Sequence, residues 1–289
     1  MVERSIWRVG HGRTLDLTDR GAIMAIVNVT PDSFSDGGLH ANVEAAVSHA
    51  LACVDEGAVI LDIGGESTRP GAAEVSADEE MARVLPVISA LRQRTEALIS
   101  IDTYRASTAR AAVDAGAHII NDVHGLQREP VIAAVAGESG AGLCIMHTGR
   151  GREQLADPIA DQRHFLGASL EIAAKAGVAR ETIVLDPGFG FAKETTEENM
   201  ELIVRFEELR SFGLPLLAGT SRKRFLGALT GRDARDRDAA TAATTVALRL
   251  KGASVFRVHN VAINRDALVM ADAMLAAERR LAATKGSTE

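Results

Sequence analysis

Eight short apolar runs, rich in β-branched residues, punctuate the chain: Ile23–Thr30, Val59–Gly65, Leu98–Thr103, His118–Val123, Gly142–Thr148, Thr182–Gly188, Pro215–Ser221 and Ser254–Val261. Each ends in a polar or glycine-containing cluster, and an alanine-rich amphipathic stretch follows. Continuous runs of this kind suit strands buried on both faces of a parallel sheet. The segments between them carry a helical period. In Ala41–Glu56 the residues Val43, Ala46, Val47, Ala50, Leu51 and Val54 fall on one face. The last such segment, roughly Asn264–Ala283, is expected to turn Ala267, Met270, Ala271, Met274 and Leu275 inward. Repeated β/α units with no linker between them predict one domain over residues 1–289. The expected fold is a (β/α)8 TIM barrel over about residues 20–283, with a short N-terminal hairpin in Ile6–Leu17 closing its bottom. An open doubly wound sheet is the alternative.

In a barrel of this kind chemistry collects at the C-terminal ends of the strands. Here those ends carry Asn28, Asp62, Asp102, Asn121, His147, Asp186, and the pair Arg257 and His259, with Lys223 just past the seventh run. Strand alternation places Asn28 on the face of Met24 and Ile26, and Asp186 on that of Val184. Arg257 and His259, two apart, point the same way. A single Asp or Asn at a strand end is often only a cap for the next helix. So many polar groups on one rim exceed what capping needs, and neither Lys223 nor Arg257 can serve as an N-cap.

Composition narrows the setting. Aromatics are only 3%, so the core must rest on Ala, Val, Ile and Leu. A net charge of −7 argues against nucleic acid as the main partner. The two cysteines, Cys53 and Cys144, lie in apolar surroundings and read as small buried hydrophobes rather than a disulfide. The opening MVERSIWRVG lacks an apolar signal-peptide region, and no run is long enough for a membrane span. A cytoplasmic protein is expected. The chain has neither a phosphate-binding G-x-x-x-x-G-K-[ST] loop nor zinc spacing among its Cys and His residues.

Several segments resemble the dihydropteroate synthase family: NVTPDSFSDGG (28–38), LDIGGESTRPG (61–71), SIDT (100–103), INDV (120–123), DPGFGF (186–191), SRK (221–223) and RVH (257–259), in the family's order. The first two together are highly specific. The resemblance implies a TIM barrel that condenses 6-hydroxymethyl-7,8-dihydropterin pyrophosphate with para-aminobenzoate, with magnesium as cofactor and sulfonamides as inhibitors. It further implies a homodimer, expected through Ala239–Leu250 and the last helix. By the same resemblance Asp102, Asn121, Asp186 and Lys223 match pterin-binding positions. Asn28 matches the metal and pyrophosphate ligand, and Arg257 and His259 the pyrophosphate pair. Thr68, Arg69 and Pro70, with Phe191, match the side that holds para-aminobenzoate. Asn28, Lys223, Arg257 and His259 are thus the expected catalytic set.

Elementary chemistry agrees with these roles. Carboxylates accept paired hydrogen bonds from a pterin edge, and Arg matches phosphate oxygens. The chain departs from the family at Ala192, where a glycine is common, at Met146-His-Thr-Gly-Arg150, and at Arg224 after Lys223. Two other readings remain: a methyltetrahydrofolate methyltransferase, which has no use for Ser67-Thr-Arg-Pro70, and a silent paralogue that only binds a pterin or an anion. The loops 28–38 and 64–71 are rich in Gly, Ser and Pro, so ordering them is costly. Para-aminobenzoate is therefore expected to bind after pyrophosphate and magnesium.

Overall fold

The computed structural model describes residues 4–30, 38–67, 74–193 and 195–286. A two-stranded antiparallel hairpin, β1 (Ile6–Arg8) and β2 (Thr14–Asp16), precedes eight parallel strands. These are β3 (Ala22–Asn28), β4 (Ile60–Gly64), β5 (Leu98–Asp102), β6 (Ile119–Asp122), β7 (Gly142–Met146), β8 (Ile183–Asp186), β9 (Leu217–Ala218) and β10 (Val255–Val258). Their order is β8-β7-β6-β5-β4-β3-β10-β9. A parallel bridge between Leu185 and Leu216 joins the two ends, so the sheet closes into a barrel and the open-sheet alternative falls. Nine helices cover it: α1 (Gly38–Asp55), α2 (Ala77–Arg92), α3 (Ala106–Ala115), α4 (Val131–Ser139), α5 (Pro158–Lys175), α6 (Thr196–Val204), α7 (Arg224–Thr230), α8 (Asp238–Leu250) and α9 (Val261–Gly286), counted among the described residues.

Alternation along the strands sorts the side chains. Ile23, Ala25, Leu61, Ile63, Ile99, Ile101, Leu143, Ile145 and Leu185 point outward into the layer under the helices. Met24, Ile60, Leu98, Ile119, Cys144, Val184, Leu217 and Val255 fill the lower interior. The hairpin plugs that end with Trp7, Val9 and Leu17, and the Trp7 indole N–H donates to the Thr182 carbonyl at 2.8 Å. Two residues further along the same inward faces the chemistry changes. Ile60 gives way to Asp62, Leu98 to Ser100 and then Asp102, Ile119 to Asn121, Val184 to Asp186 and Val255 to Arg257. An apolar floor thus passes directly into a polar ceiling, because period-two geometry keeps one face pointing inward.

The face of α9 differs from the sequence expectation. Val261, Asn264, Leu268 and Ala271 are buried, whereas Met270 and Met274 are 57% and 45% exposed. The buried set is spaced at three, four and three residues and packs on α8, where Thr245 Oγ1 donates to Asn264 Oδ1 at 2.7 Å. Seating that polar pair turns both methionines outward. Cys53 and Cys144 are free and buried, as expected. Among the described residues no helix is long and apolar enough to cross a membrane.

Candidate active site

At the upper rim β4, β5, β6 and β10 bring four polar side chains into one network. Arg257 Nε donates to Asp62 Oδ2 and its Nη2 to Asp102 Oδ2, each at 2.6 Å. Asn121 Nδ2 donates to the same Asp62 oxygen at 3.0 Å. The remaining oxygens, Asp62 Oδ1 and Asp102 Oδ1, are buried and have no hydrogen-bond partner. Burial pushes the Asp102 carboxyl up to about 7; Arg257 opposes the rise and Asp62 adds to it. For Arg257 burial works against the charge, but Asp62 and Asp102 outweigh it and hold the guanidinium above its usual range. Buried carboxylate oxygens without donors are costly unless a ligand supplies the N–H groups.

Asp186 stands at the end of β8. Its Oδ1 accepts the Gly188 N–H at 2.7 Å. A Cβ on Gly219 would lie 3.7 Å from Oδ2, so that glycine leaves the second oxygen open. Burial raises the Asp186 pKa against the pull of the Gly188 N–H, Lys223, Arg257 and Lys193. Lys223, at the N-terminus of α7, sets its ammonium 4.2 Å from the Phe191 ring centroid, a cation–π distance. Arg150 lies 4.7 Å from the same centroid. Burial, then Arg257, lowers Lys223 to about 8.

His259 follows β10. Ser221 Oγ accepts its backbone N–H at 3.1 Å and lies 2.9 Å from Nδ1. With the Ser221 proton on Nδ1, the ring presents Nε2–H to solvent as a donor. Burial and the cations Arg222, Arg257 and Lys223 push its pKa down to about 3, so it reaches an arriving anion as a neutral donor. Asn28 ends β3. A Cβ on Gly64 would lie 3.8 Å from both Asn28 Oδ1 and Asp102 Oδ2, so the absence of a side chain keeps these two facing one open space.

The sequence-predicted residues Asn28, Asp102, Asn121, Asp186, Phe191, Lys223, Arg257 and His259 therefore share one rim. Thr68, Arg69 and Pro70 lie outside the described residues. Their flanks are anchored, since Glu66 accepts from Tyr104 Oη (2.9 Å) and Arg105 Nη1 (2.5 Å), and Arg105 Nη2 donates to the Val75 carbonyl (2.6 Å). Two contributors had no role assigned from sequence. Asp62, seen there only as one strand end among several, turns out to pin both Asn121 and Arg257. Its place between Ile60 and Gly64 on the inward face was the available signal. Ser221, which orients His259, sits 38 positions away in sequence; it falls within the SRK segment, but nothing there points to His259.

For a divalent cation the described residues supply little protein cage: no group of three or more His, Cys, Asp or Glu side chains is placed to hold one. Asn28 offers one hard amide oxygen beside the anion-facing pair. That fits Mg2+, which keeps waters and takes phosphate oxygens rather than demanding an all-protein shell. The rim as a whole offers acceptors for a flat N–H-bearing ring, an ammonium for its carbonyl, and Arg257 with His259 for a multiply charged anion.

Known proteins share this fold and sequence pattern. Residues 24–259 match the family described as pterin binding enzyme. The chain is 44% identical over 261 residues to the dihydropteroate synthase of Bacillus subtilis (strain 168), covering 90% of this chain and 91% of that protein. The structure of Xanthomonas albilineans dihydropteroate synthase with 4-aminobenzoic acid superposes with a TM-score of 0.88 at 44% identity, over 93% of this chain and 98% of that one. The Yersinia pestis dihydropteroate synthase in a sulfonamide drug complex gives 0.85 at 40% identity, over 93% and 98%.

Proposed function

The chain belongs to the dihydropteroate synthases of the pterin-binding enzyme family, and on that premise we propose how its rim condenses 6-hydroxymethyl-7,8-dihydropterin pyrophosphate with para-aminobenzoate to give 7,8-dihydropteroate and pyrophosphate. The observation that carries the reading is the pair of orphaned acceptors, Asp62 Oδ1 and Asp102 Oδ1, in a pocket shared with Asn121, Arg257 and Asn28. Asp186 and Asp102 take N–H groups of the pterin, and Lys223 donates to its carbonyl. Arg257 and His259 bind the pyrophosphate and stabilise it as it leaves. The carbon–oxygen bond to pyrophosphate breaks first, and the positive charge spreads into the pterin ring. The arylamine nitrogen then attacks that carbon and releases its proton to solvent. No protein nucleophile is required. Magnesium, held by Asn28, would supply charge neutralisation of the departing phosphates. Turnover of the pterin pyrophosphate with para-aminobenzoate tests this directly. Pterin binding without product would select the silent paralogue, and methyl transfer from methyltetrahydrofolate would select the methyltransferase.

The cofactor and the order of binding share one test. Asn28, Arg257 and His259 would together hold pyrophosphate with Mg2+ through charge-assisted bonds, whereas para-aminobenzoate offers few contacts of its own. Para-aminobenzoate titrated into pterin-loaded enzyme should bind appreciably only with magnesium pyrophosphate present, and a sulfonamide should behave alike. Reciprocity requires para-aminobenzoate to tighten pyrophosphate in turn. Equal affinities with and without magnesium pyrophosphate would refute the scheme.

The exposed Val269, Met270 and Met274 on α9, with Leu250 at the end of α8, form an apolar strip that a second copy of the chain would cover. We propose a homodimer through these helices; sedimentation should find a species of twice 30.5 kDa at micromolar concentration. A lone 30.5 kDa species would exclude it. Two buried free thiols fit a reducing cytoplasm.

A further inference from the structure

Behind the rim lies a buried polar line that the condensation scheme does not use. Lys193 is only 6% exposed. Its Nζ donates to the Gly188 carbonyl at 2.9 Å and lies 3.0 Å from His147 Nδ1. His147 Nε2 is 2.8 Å from Asp161 Oδ2, and Arg152 donates to both Asp161 oxygens, at 2.8 and 2.6 Å. Burial pushes the His147 pKa down to about 4, so the ring is neutral. With Nε2–H on Asp161, its Nδ1 lone pair accepts from the ammonium.

The line ends on the catalytic turn. Gly188, whose carbonyl Lys193 holds, gives its N–H to Asp186 Oδ1. A Cβ on Gly188 would lie 2.0 Å from the His147 carbonyl, so the turn is pressed against the segment after β7. The His147 N–H in turn donates to the Asp186 carbonyl at 2.8 Å. Asn199 on α6 fixes the rest, accepting from the Gly190 N–H and donating to the Lys193 carbonyl. The segment that carries Asp186 and Phe191 is thus tied from behind at each end.

We propose that Lys193 is a positioning residue of the condensation: held between the Gly188 carbonyl and the His147–Asp161 pair, its ammonium fixes the Asp186–Phe191 turn that presents the Asp186 carboxylate to the pterin. The inference rests on Asp186 being the pterin carboxylate. The groups facing Lys193 are Asp186 at the end of β8, Asp161 on α5, Arg152 and His147 after β7, and Lys223 at α7. Burial pushes Lys193 down to about 7, with the two aspartates resisting, so its charge is present on the acid side of neutrality.

Pterin binding is lost as pH falls through the Asp186 pKa, and removing a neighbouring cation raises that pKa. Calorimetry with one pterin over a pH series, on Lys193→Met, Lys193→Gln and Asp186→Asn, tests the idea. Lys193→Met should weaken the pterin roughly tenfold at neutral pH and move the acid limb to higher pH. Lys193→Gln keeps a donor for Gly188, so it should recover part of the affinity while the acid limb stays displaced. A merely structural lysine would alter the yield of folded protein and leave that limb in place. If Lys193→Met fails to fold, Lys193→Gln decides by the same limb. Folded variants that bind like the parent, with the limb unmoved, overturn the proposal while Asp186→Asn still loses affinity. Normal binding by Asp186→Asn overturns the pocket assignment and the proposal together.

Discussion

Arg257→Met should cost about 3–5 kcal/mol of stability at neutral pH and lower turnover by roughly 10²–10³-fold. The side chain joins two carboxylates through two bonds of 2.6 Å; Asp62 is fully buried and the Asp102 side chain is only 9% exposed. Methionine fills similar volume but leaves Asp62 and Asp102 facing each other without a cation. Each already has one oxygen with no partner, so neither can shed the lost bond onto another donor. Breaking one side of a buried ion pair is expensive for this reason, even where the intact pair contributes little. The protein's cheapest response is to bind a proton. Burial already holds Asp102 near 7 in the presence of Arg257, and removing the guanidinium pushes it higher. A carboxylate whose folded pKa lies above its unfolded value costs the fold most above the folded pKa, and that cost declines as the pH falls, to vanish below the unfolded pKa. The stability deficit of Arg257→Met should therefore be largest above pH 7 and shrink as the pH falls. Urea unfolding across pH 5.5–8.5 reads this. Adding Asp62→Asn should recover part of the loss, because it removes one of the two stranded charges. A deficit independent of pH, with strictly additive variants, would mean that the triad is not a single electrostatic unit.

Most of this architecture was legible from alternation alone. Eight apolar runs correspond to the eight barrel strands, and the inward period correctly grouped Asn28 with Met24 and Asp186 with Val184. Residues that act through their own strand position are readable in this way. Those that act through a partner far along the chain are not. Nothing local in Ser221 announces His259, and nothing in Lys193 announces His147 or Asp161. These links depend on β9 lying beside β10 and on β7 lying beside β8, a three-dimensional fact. The last helix failed for a related reason. Its hydrophobic period allows two faces, and the Thr245–Asn264 hydrogen bond, invisible in a hydrophobic pattern, selects the one that leaves Met270 and Met274 outside.

The same electrostatics make Asp186 the most informative single atom exchange. Asp186→Asn should lower pterin affinity at least about tenfold and leave the fold intact, since a charge-assisted hydrogen bond is worth about 1.5–3 kcal/mol. The retained amide oxygen can still accept the Gly188 N–H, which now spans 2.7 Å, so the turn keeps its internal bond. What changes is the open side next to Gly219. There an acceptor becomes an NH2 group, aimed at a ligand edge that also presents N–H donors. The loss has two parts: the missing charge, and a donor buried against another donor. Lys223 and Lys193 both lose a counter-charge as well, so burial depresses their pKa values further and weakens the donor to the pterin carbonyl. The pH dependence separates this from a simple change of shape. Burial raises the pKa of the parent carboxyl, so at low pH the parent is also neutral. The gap in affinity between parent and variant should therefore be wide at neutral pH and close as the solution becomes acid. Calorimetry on both proteins with the same pterin measures it. An affinity equal to the parent's at neutral pH would remove Asp186 from the pocket. A gap of constant size at every pH would leave it in the pocket but show that shape, and not charge, sets the binding.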